Sequence, residues 1–491
     1  MIALWTILWH GALVVLYIVT LFGLLLYGGN AYVMVVAHRR HRRETRAVPP
    51  LPNPLPHVTV QLPLFNERYV AARLVRAVAG LDYPPDRLEI QVLDDSTDDT
   101  AEIVAGVVAE VRLRGFQVAH CRRAERQGFK AGALAEGLAM ARGEFIAIFD
   151  ADFVPPPDFL RAALPHFTTR VAVVQARWGH LNRSYSALTL AQSLGMDGHF
   201  GVEQSARCWS GLLLNFNGTA GVWRKAAILD AGGWTDDTLT EDLDLSYRAQ
   251  LRGWTIVYRP EIVCPAELPV LVTGFKSQQR RWAMGSIQTA RKLLPAVWRA
   301  ELPLWTRYQA FVHLTYYMIH PLMLLSVLLS IPLRTTSHLA ADSAMRLGAG
   351  IVFGLATLGP ATMLVYAQCV LEGAWWRRAW QLPALMVIGV GVALSTSVAI
   401  VGALGDGRRE FVRTPKFGIE GASGGWRGKR YGENGRWGGL IELGLALYCA
   451  RAVLLFWRDG QYTIVPFLAL YTIGFLTVGS LTIAQSRRAT I

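Results

Sequence analysis

Two aspartates two residues apart, Asp150 and Asp152, close the apolar run Phe145-Ile146-Ala147-Ile148-Phe149. In an extended backbone an Asp-x-Asp turns both carboxylates to one side, which suits a hard divalent cation, Mn2+ or Mg2+, carrying the phosphates of a substrate. By itself the pair is equally a polar strand end with an Asx-turn. Glu67 follows Pro63-Leu64-Phe65-Asn66, and Asp94 and Asp95 follow Gln91-Val92-Leu93. Asp95 can accept from a base N–H while Asp94 and Glu67 hold the same pocket in register, or each cluster simply caps a helix start. Lys130 enters a helix from a turn flanked by Gly128 and Gly132, which is an anion site or a solvated surface lysine. Glu241 and Asp242 open an amphipathic segment, where a carboxylate takes the proton of an attacking hydroxyl or merely favours the positive end of a helix. Gln278, Arg281 and Trp282 gather amide, guanidinium and indole. Arg281 suits a leaving diphosphate and Trp282 a sugar face, or the string is a membrane-interface belt.

Short β-rich runs alternating with amphipathic segments must position these groups. Strands are expected over 58–64, 88–93, 117–120, 144–149 and 171–175, with helices over 101–113 and 130–141. Such βαβ alternation predicts a doubly wound, mostly parallel sheet in one α/β domain, residues 57–284. Glu67, Asp94, Asp95, Asp150 and Asp152 then share the carboxyl rim of the sheet, where open α/β sheets bind ligands.

The rest of the chain is of another texture. The sequence of 491 residues is 52% hydrophobic and only 17% charged, yet carries a net charge of +13. Much of that charge flanks apolar runs, as in His38-Arg39-Arg40-His41-Arg42-Arg43 and Arg377-Arg378, which points to positive-inside anchoring and away from nucleic acid. The five cysteines form no Cys-x-x-Cys pair or His/Cys cluster, so neither a zinc site nor a disulfide framework is expected. Residues 1–37 read as an α-helical transmembrane anchor and 38–56 as a basic, Pro-rich cytoplasmic linker. Residues 285–306 read as an interfacial amphipathic segment, and 307–404 as membrane helices. Within the latter, 382–404 is expected to be re-entrant or interfacial, because a full crossing would put the basic loop 405–437 outside. Two further membrane helices are expected in 438–491, each near the roughly 20 residues a bilayer requires.

The ordered set Asp94-Asp95, Asp150-x-Asp152, Thr240-Glu241-Asp242 and Gln278-x-x-Arg281-Trp282 resembles the inverting, processive family-2 glycosyltransferases of the cellulose-synthase superfamily. It is most similar to the cellulose-synthase-like glucomannan and mannan synthases. Further stretches that carry the resemblance are Phe129-Lys130-Ala131-Gly132-Ala133-Leu134, Val174-Gln175-Ala176-Arg177-Trp178 and Phe216-Asn217-Gly218-Thr219-Ala220-Gly221. The resemblance implies a glycosyltransferase A-type domain with a divalent metal at Asp152 and Asp150. It implies a nucleotide pocket using Asp94, Asp95, Lys130 and Arg281, with Glu67 beside it. Asp242, with Glu241 next to it, becomes the catalytic carboxylate. Gln278, Trp282, Phe216, Asn217, Gly218 and Thr219 fall at the acceptor. Phe411, Thr414 and Lys416 resemble the gating-loop motif Phe-x-Val-Thr-x-Lys, with Arg413 in place of the valine and Pro415 also departing from it.

The implied activity is a membrane hexosyltransferase that extends a β-linked glucan, mannan or glucomannan from GDP-mannose or UDP-glucose and passes the growing polysaccharide through the lipid bilayer. The implied setting is a bacterial inner (plasma) membrane with a cytoplasmic catalytic domain. A non-processive transferase making a glycolipid, like the ceramide glucosyltransferases, is the alternative. A catalytically inactive, membrane-anchored carbohydrate-binding protein is a third reading.

Overall fold

The structure, a computed structural model, describes residues 2–42, 48–336, 343–373, 375–405, 413–429 and 435–488. Seven strands form one sheet: β1 (Val58–Leu64), β2 (Leu88–Asp94), β3 (Gln117–Arg122), β4 (Phe145–Ile148), β5 (Val171–His180), β6 (Gly221–Arg224) and β7 (Thr255–Ala266). Their order is β3-β2-β1-β4-β6-β5-β7, and all neighbours are parallel except those of β6, which runs antiparallel to β4 and β5. This is the doubly wound, mostly parallel sheet expected. β6 and β7 lie outside the expected set. The first is only four residues long and the second contains Pro260 and Pro265, so neither gives a clean alternating signal.

β4 sits at the centre of the sheet, and its unbroken apolar run has a direct cause. Phe145, Ala147 and Phe149 feed the core on one face of the sheet, while Ile146 and Ile148 feed the core on the other. A strand covered on both faces has no polar side to alternate with. Each fully buried isoleucine contributes roughly 1.5–3 kcal/mol.

β1 carries a proline, Pro63, although it lies between two strands. Backbone bonding alternates from side to side. Gln61 O accepts from Phe149 N on the β4 side at 3.2 Å, and Leu64 O accepts from Asp95 N on the β2 side at 3.0 Å. Pro63 therefore faces the β4 side, where β4 has already ended opposite Gln61. Its missing N–H interrupts no ladder.

Among the described residues five helices are long and apolar enough to cross a membrane: Leu8–His41, Leu304–Thr335, Gly348–Leu371, Arg436–Arg458 and Val465–Ser486. Residues 382–404, expected to be re-entrant or interfacial, form a bent pair, Leu382–Gly391 and Ala393–Ala403, with a 43° angle between its halves, the geometry of a broken span or of a re-entrant loop. Gly391 lets the first half approach the carbonyl of Gly474, the close backbone contact that small residues permit between membrane helices.

The expected boundary at 284/285 falls inside a continuous helix, Val272–Arg299. Ala283, Met284 and Ile287 bury one side of it against Ala399, Ile400 and Ala403. On another side Gly285 lies against Thr240 so closely that a Cβ would meet its side chain at 2.5 Å. A helix packed on both sheet domain and membrane helices has no reason to stop between them.

Candidate active site

Because β1 pairs in register with both β2 and β4, the chain leaves these strands along one rim. An open cleft of about 1050 Å³, its solvent-filled mouth included, lies there. Of the expected residues it gathers Glu67, Asp95, Lys130, Asp150, Asp152, Asn217, Gly218, Glu241, Asp242, Gln278, Arg281, Trp282, Thr414 and Lys416. Asp94, Phe216 and Thr219 do not line it. Phe411 lies outside the described residues.

The three that do not line the cleft support it from behind. Asp94 points to the opposite side of its strand, where its carboxylate accepts from Ser96 N at 2.9 Å and meets His120 Nε2 at 2.9 Å. Burial pushes that carboxyl up, but these hydrogen bonds outweigh it and hold the acid below its ordinary range. Thr219 is buried and its hydroxyl accepts from Asp150 N at 2.8 Å. Phe216 is buried against Trp223.

Lys130 ties two carboxylate clusters together. Its ammonium lies 2.6 Å from Asp150 Oδ1, 2.9 Å from the carbonyl of Gly218 and 3.7 Å from Glu241 Oε1. Burial works against its charge, yet the carboxylates around it, Asp150 foremost, raise its pKa. Asp242 stands at the start of the helix Glu241–Leu251, and a Cβ on Gly218 would come within 2.8 Å of its Oδ2. Only glycine fits there, and its φ of +80° is the left-handed conformation that glycine adopts at no steric penalty. Burial, and then the Glu241 charge beside it, push the Asp242 carboxyl up to about 7.

The position of Asp242 is set from the helix Val272–Arg299. Leu239 N donates to Gln288 Oε1 at 2.9 Å, and the Thr240 hydroxyl lies 3.2 Å from that of Thr289. The same helix presents Gln278, Arg281 and Trp282 to the cleft. Burial lowers the Arg281 pKa against the opposing pull of Asp150, Glu241 and Asp242.

The loop 413–419 crosses the remaining side. Lys416 Nζ lies 2.7 Å from Asp152 Oδ2 and donates to the carbonyl of Glu267 at 2.6 Å. The buried Glu267 carboxylate accepts from Phe417 N at 2.7 Å and from Ile419 N at 3.1 Å. Arg413 pairs with Glu67 at 2.7 Å, although burial still pushes the Glu67 carboxyl up to about 7.

Sequence reasoning missed two arginines here and gave a third, Arg413, no contact in the cleft. Arg123 holds Asp95 with two nitrogens, Nε at 2.9 Å and Nη2 at 2.5 Å. Arg126 lies over the Phe65 ring at 3.4 Å and, like Arg413, lines the cleft. The signal for the first two was the basic run after β3, which parallel pairing places beside the acidic end of β2, Asp94 opposite Arg122.

Residues 56–285 match a family described as glycosyltransferase like family 2. The chain is 41% identical over 268 residues to a glucomannan 4-beta-mannosyltransferase of rice, covering 53% of this chain and 51% of that one. To an Arabidopsis thaliana glucomannan 4-beta-mannosyltransferase it is 44% identical over 250 residues, covering 50% and 47%. The chain thus spans about half the length of the curated relatives it matches. In fold it is similar to the mannosyltransferase PcManGT from Pyrobaculum calidifontis, solved in complex with GDP-Man and Mn2+. The TM-score there is 0.51 at 20% identity, over 80% of this chain and 99% of that one. With its sheet and carboxyl-rim cleft, the region 56–285 has a glycosyltransferase A-type fold, and it is this region that matches the glycosyltransferase-like family 2.

Proposed function

We propose that this protein is an inverting, metal-dependent hexosyltransferase that extends a β-linked polysaccharide of glucan, mannan or glucomannan type and passes it across a membrane. GDP-mannose is the donor the reading favours, because the relatives are named for mannosyl transfer and the structural neighbour was solved with GDP-Man. The observation that carries the reading is the juxtaposition in one cleft of a carboxyl raised to about 7, Asp242, with the Asp150-x-Asp152 pair, Lys130 and Arg281.

Asp242 takes the proton of the acceptor hydroxyl as its oxygen attacks the anomeric carbon. The bond from that carbon to the diphosphate breaks, and the electron pair leaves on the diphosphate oxygen. Lys130 and Arg281 line the cleft and face that departing charge, where fixed positive groups stabilise it. Attack from the side opposite the leaving group inverts the anomeric centre.

Asp150 and Asp152 provide hard oxygen donors, and no group of three or more candidate ligands occurs among the described residues. Donor phosphates would complete the shell, as they do for Mg2+ and Mn2+. When bound, such an ion supplies positive charge to the diphosphate.

Lys416 holds Asp152 from the gating-like loop, so in this reading donor binding releases that contact and the loop answers to the nucleotide. The positive-inside distribution of charge supports a catalytic domain at the cytoplasmic face. The bacterial setting expected from the sequence draws no support from the curated relatives, which are plant proteins.

The test is to incubate detergent-purified protein with Mn2+ or Mg2+ and, separately, GDP-mannose and UDP-glucose, and to measure nucleoside diphosphate release and product size. Long product from one donor, absent with Asp242→Asn, is the expected result. Short glycolipid would select the alternative, and no turnover with either donor would refute both.

A further inference from the structure

Glu267, the residue after β7, connects the turn that carries Asp152 to the loop 413–419. Its backbone N–H donates to the carbonyl of Asp152 at 3.2 Å, and its own carbonyl accepts from Lys416 Nζ at 2.6 Å. Its carboxylate, one oxygen to each, accepts from Phe417 N and Ile419 N. The residue is 2% exposed. Gly418, between the two bonded amides, has a φ of +66°, so the flanking N–H groups converge on one carboxylate in the manner of a backbone anion nest. A Cβ on Gly418 would meet the carbonyl of Tyr69 at 2.8 Å, which leaves the turn hard against the sheet domain.

The loop is held in two unequal parts. Phe417 and Ile419 are buried against Val270 and Leu271. Arg73 pairs with Glu420 at 2.9 Å and lies 3.6 Å from Glu267, and Gly421 N donates to the carbonyl of Leu181 at 2.8 Å. None of these partners lines the cleft. Of the described loop residues only Arg413, Thr414 and Lys416 do, and Arg413 and Lys416 are seated there by ion pairs with Glu67 and Asp152. Asp152 is a carboxylate that a metal claims in the reading above, whereas Glu267 is not. The two parts of the loop therefore answer to different events.

We propose that Glu267 is a positioning residue that splits the loop in function: it keeps 417–421 seated while metal and donor bind, and it presents Lys416 to Asp152 so that only 413–416 yields when the metal takes that carboxylate. The inference rests on the transferase reading above and goes beyond it in two respects. The loop does not leave the domain as a whole, and a residue outside the cleft sets how readily the metal enters it. Tethered at the very next residue, Lys416 competes for Asp152 at a high effective concentration. Freed from the tether, it competes poorly.

The experiment reads the anchor and the metal separately. Hydrogen exchange of the Phe417 and Ile419 amides is followed in the full-length protein, with and without Mn2+ and the nucleoside diphosphate of whichever donor the wild type turns over. The same preparation is titrated with Mn2+ at saturating donor, and the concentration giving half-maximal diphosphate release is recorded.

In the wild type both amides should stay protected within about twofold when Mn2+ and nucleotide are added, since their acceptor is untouched. Glu267→Gln keeps the shape but offers one acceptor oxygen in place of two. It should speed exchange about tenfold, the scale of one hydrogen bond to a charged group, and lower the half-maximal Mn2+ by a similar factor. Lys416→Met leaves the anchor in place, so it should lower the half-maximal Mn2+ at least as far with both amides still protected. Adding Glu267→Gln to it should lower that concentration no further, because the two act through one contact. Lys416→Met also serves if Glu267→Gln does not fold. Loss of amide protection when Mn2+ and nucleotide bind overturns the inference. So does a half-maximal Mn2+ that rises or stays the same in either variant, as a merely structural role would give, and the transferase reading survives both results. A wild type that turns over neither donor overturns that reading and the inference together.

Discussion

The two walls of the cleft are made by different means. On the sheet wall, Asp150, Asp152, Glu67 and Asp95 stand where strands end, and the backbone register of β1, β2 and β4 fixes their spacing. On the helical wall, Gln278, Arg281 and Trp282 ride on a helix whose placement depends on distant partners. Lys276 of that helix is buried and paired at 2.6 Å with Glu442 of the membrane helix Arg436–Arg458, and also reaches Thr482 at 3.3 Å. The sheet wall is local geometry, whereas the helical wall is a set of long-range attachments. Damage to the first should therefore abolish chemistry and spare stability, and damage to the second should lower stability and activity together.

The sharpest break is Asp242→Asn, which removes the proposed base without changing shape. Transfer should fall about 10³-fold while nucleotide binding by equilibrium dialysis is kept. A loss of less than tenfold would remove Asp242 from the role of base.

Next is Lys276→Met. It leaves Glu442 buried without its cation, a change that costs about 3–5 kcal/mol, and should lower the thermal midpoint and the activity together. Adding Glu442→Leu should restore much of both. A single variant as stable as wild type would show that this attachment does not hold the helical wall.

Gly285→Val tests the contact between the walls. Its Cβ would press on Thr240 at 2.5 Å and displace the segment that carries Asp242. Activity should drop roughly 10²-fold, as small misplacements of reacting groups do, with the donor KM little altered. An unaffected rate would mean that the base is positioned from the sheet side alone.

The smallest effect is on pH dependence. The base must be ionised, so kcat/KM for transfer should rise with pH up to about 7 and level above it. Removing the neighbouring charge in Glu241→Gln should lower the Asp242 pKa and move the rising limb to lower pH. A shift to higher pH would contradict the assigned cause.

What the sequence made legible follows the same division. Strand-end carboxylates are local, and an apolar run ending in Asp150 and Asp152 announces both strand and site. Adjacent acids are harder, because neighbours on a strand face opposite sides. Nothing in Asp94-Asp95 alone says that Asp94 turns to His120 while Asp95 meets Arg123. The continuity of the helix Val272–Arg299 through Pro295 was hidden too, since it is enforced by residues more than a hundred positions away. So was the seating of Lys416 on Asp152, which spans 264 positions. Period and motif report what a residue is disposed to do, and burial by remote partners decides where it does it.

One detail of the sheet carries further. β4 is four residues long beside the seven of β1, and the proline in β1 lies where the fourth strand has run out. At about 3.3 Å per residue, the shortfall leaves roughly 10 Å of β1 without a neighbour on that side. The cleft is thus not carved into a finished sheet. It is the gap left by missing rungs, and Asp150 and Asp152 are what the chain does in place of continuing the ladder. Any change that let the fourth strand lengthen would turn those two carboxylates into ordinary strand residues and fill the space that the substrate needs.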